Sequence, residues 1–171
     1  MRGEKIMGRQ KLIILSGSPC VGKSTAGDLL FQMYENSAYL DGDWCWCVNP
    51  FKLDDPRLRE GDRAMSAVLS NYLRLSFDYV VFCSVVAMYE NIREGILGDI
   101  TEEGYQVIGF TLTCSEETLR ERHKHRGDKN ECSMEWLRLP SYPGDHVIYT
   151  DGKSPKEVAL MMKEIIDGYG D

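Results

Sequence analysis

At 171 residues the chain is long enough for one domain with a single buried core, and its 43% apolar and 27% charged residues exclude a disordered or fibrous protein. A formal charge of −7 argues against the basic face that a nucleic-acid partner would need. No apolar run approaches the ~20 residues of a membrane-spanning helix, so neither nucleic acid nor membrane is an expected partner.

Residues 1–10, MRGEKIMGRQ, are polar, lack the apolar centre of a signal peptide, and read as an N-terminal tail before a single domain at 11–171. Residues 12–15 are a continuous apolar run, the pattern of a buried parallel strand. Gly17, Gly22, Lys23 and Ser24 follow in the spacing G-x-x-x-x-G-K-S, and Ala26, Leu29, Leu30 and Met33 then recur as one face of a helix. Residues 37–40 predict a second strand that ends in Asp41-Gly42-Asp43, followed by a loop rich in Trp and Cys. Asp55-Pro56 marks a helix start, with Asp as N-cap and Pro in the first turn. Met65, Val68, Leu69, Tyr72 and Leu73 give that helix its apolar face. Strands are predicted at 79–82, 107–112 and 147–149. Between and after them come a helix marked by Ile92, Ile96, Leu97 and Ile100, a charged helix over 116–126, a short helix over 133–137 stopped before Pro140, and a final helix. That last helix opens with the capping box Ser154-Pro155-Lys156-Glu157 and carries Val158, Met161, Met162, Ile165 and Ile166. Strands alternating with helices predict an α/β fold with a parallel sheet covered on both faces. In such sheets ligands bind beyond the carboxyl ends of the strands.

The strand, glycine loop and helix at 11–33 are the context of a phosphate-binding P-loop. Its residues Gly17, Ser18, Pro19, Cys20, Val21, Gly22, Lys23, Ser24 and Thr25 are the candidate nucleotide cradle, with Lys23 toward the β- and γ-phosphates and Ser24 toward Mg²⁺. Asp41 and Asp43, two apart at a strand's carboxyl end, would point to one side of an extended chain. A carboxylate there can orient Mg²⁺ or take a proton from an attacking hydroxyl. Both are candidate catalytic residues, and Ser24 and Asp43 the candidate metal ligands. Arg122 and Arg126 share a helix face and are the candidate cations over the transferring phosphoryl group. Arg120 pairs more naturally with Glu116, and Arg57, Arg59 and Arg63 read first as a solvated face and second as a site for an anionic acceptor. Trp44, Trp46 and Phe51 either wall an acceptor pocket or pack on the next helix. His123, His125, Cys45 and Cys47 lack zinc-ligand spacing. The six cysteines include no C-x-x-C, and Cys83 and Cys114 lie in apolar runs, which predicts free thiols in a reducing cytoplasm. The 79–82 strand ends Phe82-Cys83-Ser84 without the acid that motor and switch NTPases use, which moves the acidic role to the Asp41/Asp43 pair.

The segments GSPCVGKST, LDGD, LTCSEETLRERHKHRGD and YTDGKSPKEV together resemble the small P-loop kinases of the nucleoside-monophosphate-kinase-like group. That group includes shikimate, gluconate and adenylylsulfate kinases and chloramphenicol phosphotransferase. The resemblance covers about residues 11–167. It implies a five-stranded parallel sheet of order 2-3-1-4-5, a small lid at about 123–138, and adenine held between the Arg122/Arg126 region and the loop Asp151-Gly152-Lys153. The expected activity is ATP-dependent transfer of the γ-phosphoryl group to a small-molecule acceptor, first a hydroxyl, with ATP and Mg²⁺ as cofactors and a monomer or homodimer as the active form. A nucleoside or nucleotide kinase is the second reading. A nucleotide-binding regulator or NTPase without an acceptor is the alternative of another class.

Overall fold

The apolar run that follows Lys11 is buried along its whole length, and it forms the centre of the sheet. A computed structural model describes residues 10–52, 54–127 and 134–170. Among these residues β1 (Lys11–Gly17), β2 (Ser37–Asp41), β3 (Tyr79–Cys83), β4 (Gln106–Thr113) and β5 (His146–Tyr149) form one parallel sheet in the order β2-β3-β1-β4-β5. This is the order that the resemblance implies.

Side chains alternate across β1 and feed two cores. Ile13 and Leu15 pack with α1 (Lys23–Gln32) and α5 (Pro155–Gly168) on one face. Leu12 and Ile14 pack with α2 (Glu60–Arg74) and α3 (Glu90–Gly98) on the other. A fully buried Leu or Ile contributes about 1.5–3 kcal/mol, so a strand buried on both faces is what the sheet is built around. Where β1 ends, Gly17 has φ +140, and a Cβ there would lie 2.2 Å from the Leu112 carbonyl oxygen of β4. A residue with a side chain would push the start of the phosphate loop off the sheet.

The helix α4 (Glu116–Arg126) is held differently, since it buries Leu119 alone. Its ends supply the stability instead. The Ser115 hydroxyl accepts from the Thr118 N–H at 3.2 Å, acidic residues fill the first turn and basic ones the last, and Gly127 closes it in the left-handed conformation, φ 71. The capping box of α5 forms as predicted.

Several elements differ in detail from the sequence reading. The helix after Asp55 starts as a 3₁₀ turn, Pro56–Arg59, with the Asp55 carboxylate accepting from the Arg57 N–H, and only then becomes α2. On α5 the buried stripe is Val158, Ala159, Met162 and Ile166, and Met161 is exposed, because the sheet covers a narrower arc than the apolar residues span. The short helix expected at 133–137 is a 3₁₀ turn, Trp136–Arg138. Asp43 is not extended beside Asp41 but lies in a 3₁₀ turn, Gly42–Trp46, because the Asp41 carboxylate accepts its N–H at 3.1 Å and curls the chain. Residues 1–9 of the expected tail at 1–10, and residues 128–133 of the lid expected at about 123–138, lie outside the described residues.

Beneath the 140–145 segment sits a sealed ion pair. Arg93 of α3 and Asp145 are almost fully buried and 2.8 Å apart. The same carboxylate accepts from Thr111 at 2.8 Å and Ser16 at 3.4 Å, and the guanidinium lies 3.8 Å from the Tyr142 ring centroid. The pair fits because β4 has Gly109 beneath it, where a Cβ would come within 1.8 Å of the Asp145 oxygen.

Candidate active site

The phosphate loop, residues 17–22, leaves β1 and enters α1 through two left-handed residues, Cys20 (φ 67) and Gly22 (φ 100). Such turns aim successive N–H groups inward. Among the described residues the N–H groups of Gly22, Lys23 and Ser24 bond to no acceptor, as the first turn of a helix dictates. The partly positive end of α1 points the same way. Lys23 is folded over the loop and donates to the Ser18 carbonyl at 2.9 Å. Burial of its ammonium lowers its pKa from 10.5 to about 8, against the opposing pull of Asp43 and Asp41.

A cavity of about 840 Å³ opens over this loop. Pro19, Cys20, Val21, Gly22, Lys23, Ser24 and Thr25 line it; Gly17 and Ser18 do not. Asp41 and Asp43 form the facing wall. The two carboxylates are not equivalent. Asp41 accepts the Ser24 hydroxyl at 2.7 Å, and Tyr39, on the same face of β2, reaches the same oxygen at 3.4 Å. Asp43 stands at the mouth in contact with solvent. Partial desolvation, and then the charge of Asp41, raises its pKa, while Lys23 and Arg126 oppose the shift.

The two arginines of α4 also separate. Arg122 donates to the Val21 carbonyl at 3.0 Å, to the Thr150 hydroxyl at 2.8 Å and to the Thr150 carbonyl at 2.8 Å. It ties the phosphate loop to the end of β5. Arg126 reaches the Cys20 thiol at 3.5 Å and faces the open cavity. Arg120 pairs with Glu116 at 3.8 Å on the solvent side.

In the 150–153 loop, Lys153 and Thr150 line the cavity, but Asp151 and Gly152 do not. The Asp151 carboxylate accepts from the Ser115 N–H, the Ser115 hydroxyl and the Thr118 hydroxyl. Those bonds, the one from Thr118 first, hold it down to about 2. It therefore docks the loop on the first turn of α4.

Of the three loop aromatics, Phe51 alone lines the cavity. Trp44 is exposed and meets Tyr39 edge-on, and Trp46 packs near Gly61 at the start of α2. Arg57, Arg59 and Arg63 pair with Asp55, Asp62 and Glu60, away from the cavity. The thiols of Cys20, Cys45, Cys47, Cys83 and Cys114 are free, and burial pushes Cys83 up to about 12.

Sequence reasoning missed Tyr39, Ser84 and Trp136. Tyr39 was legible in principle, since a strand residue two before Asp41 shares its face. Ser84 carried one signal, its place at the carboxyl end of the 79–82 strand; Trp136 had none and arrives at the cavity from the segment before Pro140.

The model of the AAA domain family matches residues 13–135, well over half of the chain. No curated relative matches the sequence. Several solved structures share the fold. The tunicamycin resistance protein of Deinococcus radiodurans is 15% identical, with a TM-score of 0.67 over 93% of this chain and 96% of that one. The APS kinase of Mycobacterium tuberculosis, in complex with AMPPNP and APS, is 17% identical, with a TM-score of 0.68 over 93% and 98%. A gluconokinase from Sinorhizobium meliloti 1021 is 18% identical, with a TM-score of 0.65 over 93% and 94%. At these identities the likeness is one of fold, the five-stranded parallel sheet of P-loop kinases. The sequence match over residues 13–135, which includes the phosphate loop, establishes that the chain belongs to the AAA domain family.

Proposed function

We propose that this chain is an ATP-dependent kinase that transfers the γ-phosphoryl group of ATP to a hydroxyl of a small molecule. The observation that carries the reading is the Asp41–Ser24 hydrogen bond of 2.7 Å, with Asp43 beside it, on the wall facing the phosphate loop. One acid there can serve a metal in any NTPase; the second, Asp43, is what an acceptor hydroxyl would need. The donor set suits Mg²⁺, a hard cation that takes carboxylate and hydroxyl oxygens. Ser24 and Asp41 would hold it, with Asp43 within the same wall, and when bound it would offset charge on the β- and γ-phosphates.

The chain's own residues supply the rest. The N–H groups of 22–24 and Lys23 bind the phosphates, and Arg126 faces them from α4. Arg122 positions the loop. Asp43, with its raised pKa, accepts the proton of the acceptor hydroxyl. The hydroxyl oxygen forms a bond to the γ-phosphorus as the bond from that phosphorus to the bridging oxygen breaks. The electron pair of the broken bond leaves with ADP. The free thiols and the charge balance fit a cytoplasmic enzyme acting on a metabolite-sized acceptor.

The test follows ATP consumption across a panel of hydroxyl compounds, for the native chain and for Asp43→Asn and Asp41→Asn. Acceptor-dependent ADP formation supports the reading. Asp43→Asn should cut transfer ~10²-fold and leave nucleotide affinity within about threefold. Asp41→Asn should instead raise the Mg²⁺ concentration needed for half-maximal rate. Hydrolysis at one rate whatever compound is added, unchanged in both variants, would make the chain an NTPase or regulator.

A further inference from the structure

The two ends of the cavity carry opposite chemistry. Every basic side chain among its described lining residues, namely Lys23, Arg122, His123, Arg126 and Lys153, belongs to α1, α4 or the 150–153 loop. That is the phosphate end. The other end is lined by Asp41, Asp43, Phe51, Ser84, Val85 and Trp136. The arginines nearest in sequence are spent elsewhere: Arg57, Arg59 and Arg63 on their acidic neighbours, Arg138 on Glu116, and Arg93 in its sealed pair with Asp145.

An anionic acceptor would lose its hydration at this end and face the Asp43 carboxylate, while the cations that act on Asp43, Lys23 and Arg126, are engaged by the nucleotide phosphates. A neutral hydroxyl compound meets no such cost, and an ammonium gains from the carboxylates and from the aromatic faces. The aromatic contribution is real surface: Phe51 is 59% exposed, and Trp136 is fixed edge-on to Tyr89 with ring centroids 5.1 Å apart. Ser84 adds a polar handle. It is 3% exposed, it lines the cavity, and its hydroxyl makes no hydrogen bond among the described residues. Gly42, between the two aspartates, keeps that hydroxyl uncovered, since a Cβ there would sit 2.9 Å from it.

We infer that the acceptor is a neutral or cationic hydroxyl compound with a flat apolar body, the body held by Phe51 and Trp136 and the hydroxyl presented to Asp43 and Ser84. The inference rests on the kinase reading above. It excludes sugar acids, hydroxy acids and nucleoside monophosphates as acceptors.

Three probes share a phenyl ring and a hydroxyl and differ in charge: phenylethanolamine, styrene glycol and mandelate. Their binding to the chain saturated with AMPPNP and Mg²⁺ is measured by calorimetry or ligand-observed NMR. Phenylethanolamine should bind tightest, styrene glycol next, and mandelate about tenfold or more weaker than the amine. Phe51→Ala should weaken the first two, and Asp43→Asn should narrow the gap between amine and acid. Mandelate binding as well as the amine overturns the inference, as does absent binding of all three or binding indifferent to Phe51→Ala. Labelled γ-phosphate separates the two levels. Transfer to nucleoside monophosphates or sugar acids and not to neutral or amino alcohols overturns this inference alone. ATP turnover that no acceptor of either kind captures overturns the kinase reading and the inference with it.

Discussion

The phosphate end and the acceptor end of the cavity are built on different principles. The phosphate end is built on backbone. Consecutive N–H groups, a helix terminus and Lys23 come from a single stretch of chain that Gly17 fits against β4, and the side chains of α4 and Lys153 are added around that cradle. The acceptor end is made of side chains from four separate places: the end of β2, the loop at Phe51, the end of β3 and the turn at Trp136. Backbone donors recognise any phosphate and tolerate change around them. Side chains gathered from distant segments recognise one shape, and each depends on the packing behind it. The difference teaches where specificity is kept, and it predicts that damage to the two ends has different symptoms.

The largest expected effect breaks the support of the acceptor end. Arg93→Ala leaves the Asp145 carboxylate buried without its partner, which should cost about 3–5 kcal/mol of stability. Urea unfolding measures it directly. Because the 140–145 segment continues from Trp136, a partly folded variant should lose acceptor affinity before it loses AMPPNP affinity. A loss under about 1 kcal/mol would show that the segment is held by other contacts.

Next in size is the phosphate end. Lys23→Ala should lower transfer at least ~10²-fold, about 2.7 kcal/mol of transition-state stabilisation. The thermal midpoint should stay level or rise, because burial disfavours the Lys23 charge in the folded chain. Near-native turnover would remove the lysine from the mechanism. This symptom, lost chemistry in an intact fold, is the converse of the one expected for Arg93→Ala.

The smallest effect is a pH dependence confined to the same lysine. Its pKa is lowered from 10.5 to about 8, so between those values the unfolded chain binds more protons and stability rises with pH. Nucleotide phosphates favour the protonated form, so binding above about pH 8 takes up a proton. Affinity should then fall by up to about tenfold per pH unit. Calorimetry in two buffers of different ionisation heat checks the sign: no uptake near neutrality, and uptake approaching one proton about a unit above the Lys23 value. Equal heats in both buffers at the higher pH would assign the titration elsewhere. The acceptor end has no part in this dependence, so the affinity of the neutral probe, styrene glycol, measured with nucleotide saturating should stay flat.

The sequence by itself determined the sheet and the phosphate end. β1 is apolar on both faces, the glycine spacing is local, and the caps at Asp55 and Ser154 are each read from neighbouring residues. A motif whose groups are adjacent in the chain needs no tertiary knowledge to place them. Tertiary structure decided the division of labour within residue pairs that look alike. Asp41 meets Ser24 and Asp43 stays at the mouth because a carboxylate-bound N–H curls the chain between them. Arg122 is spent on Val21 and Thr150 while Arg126 faces the cavity, because β5 ends beside one and not the other. Asp151 caps α4 for the same reason. Trp136 joined the site only through the packing of the segment before Pro140. These contacts span tens of residues, and no periodicity records which distant group a side chain will meet; that is fixed when the two cores close on the sheet.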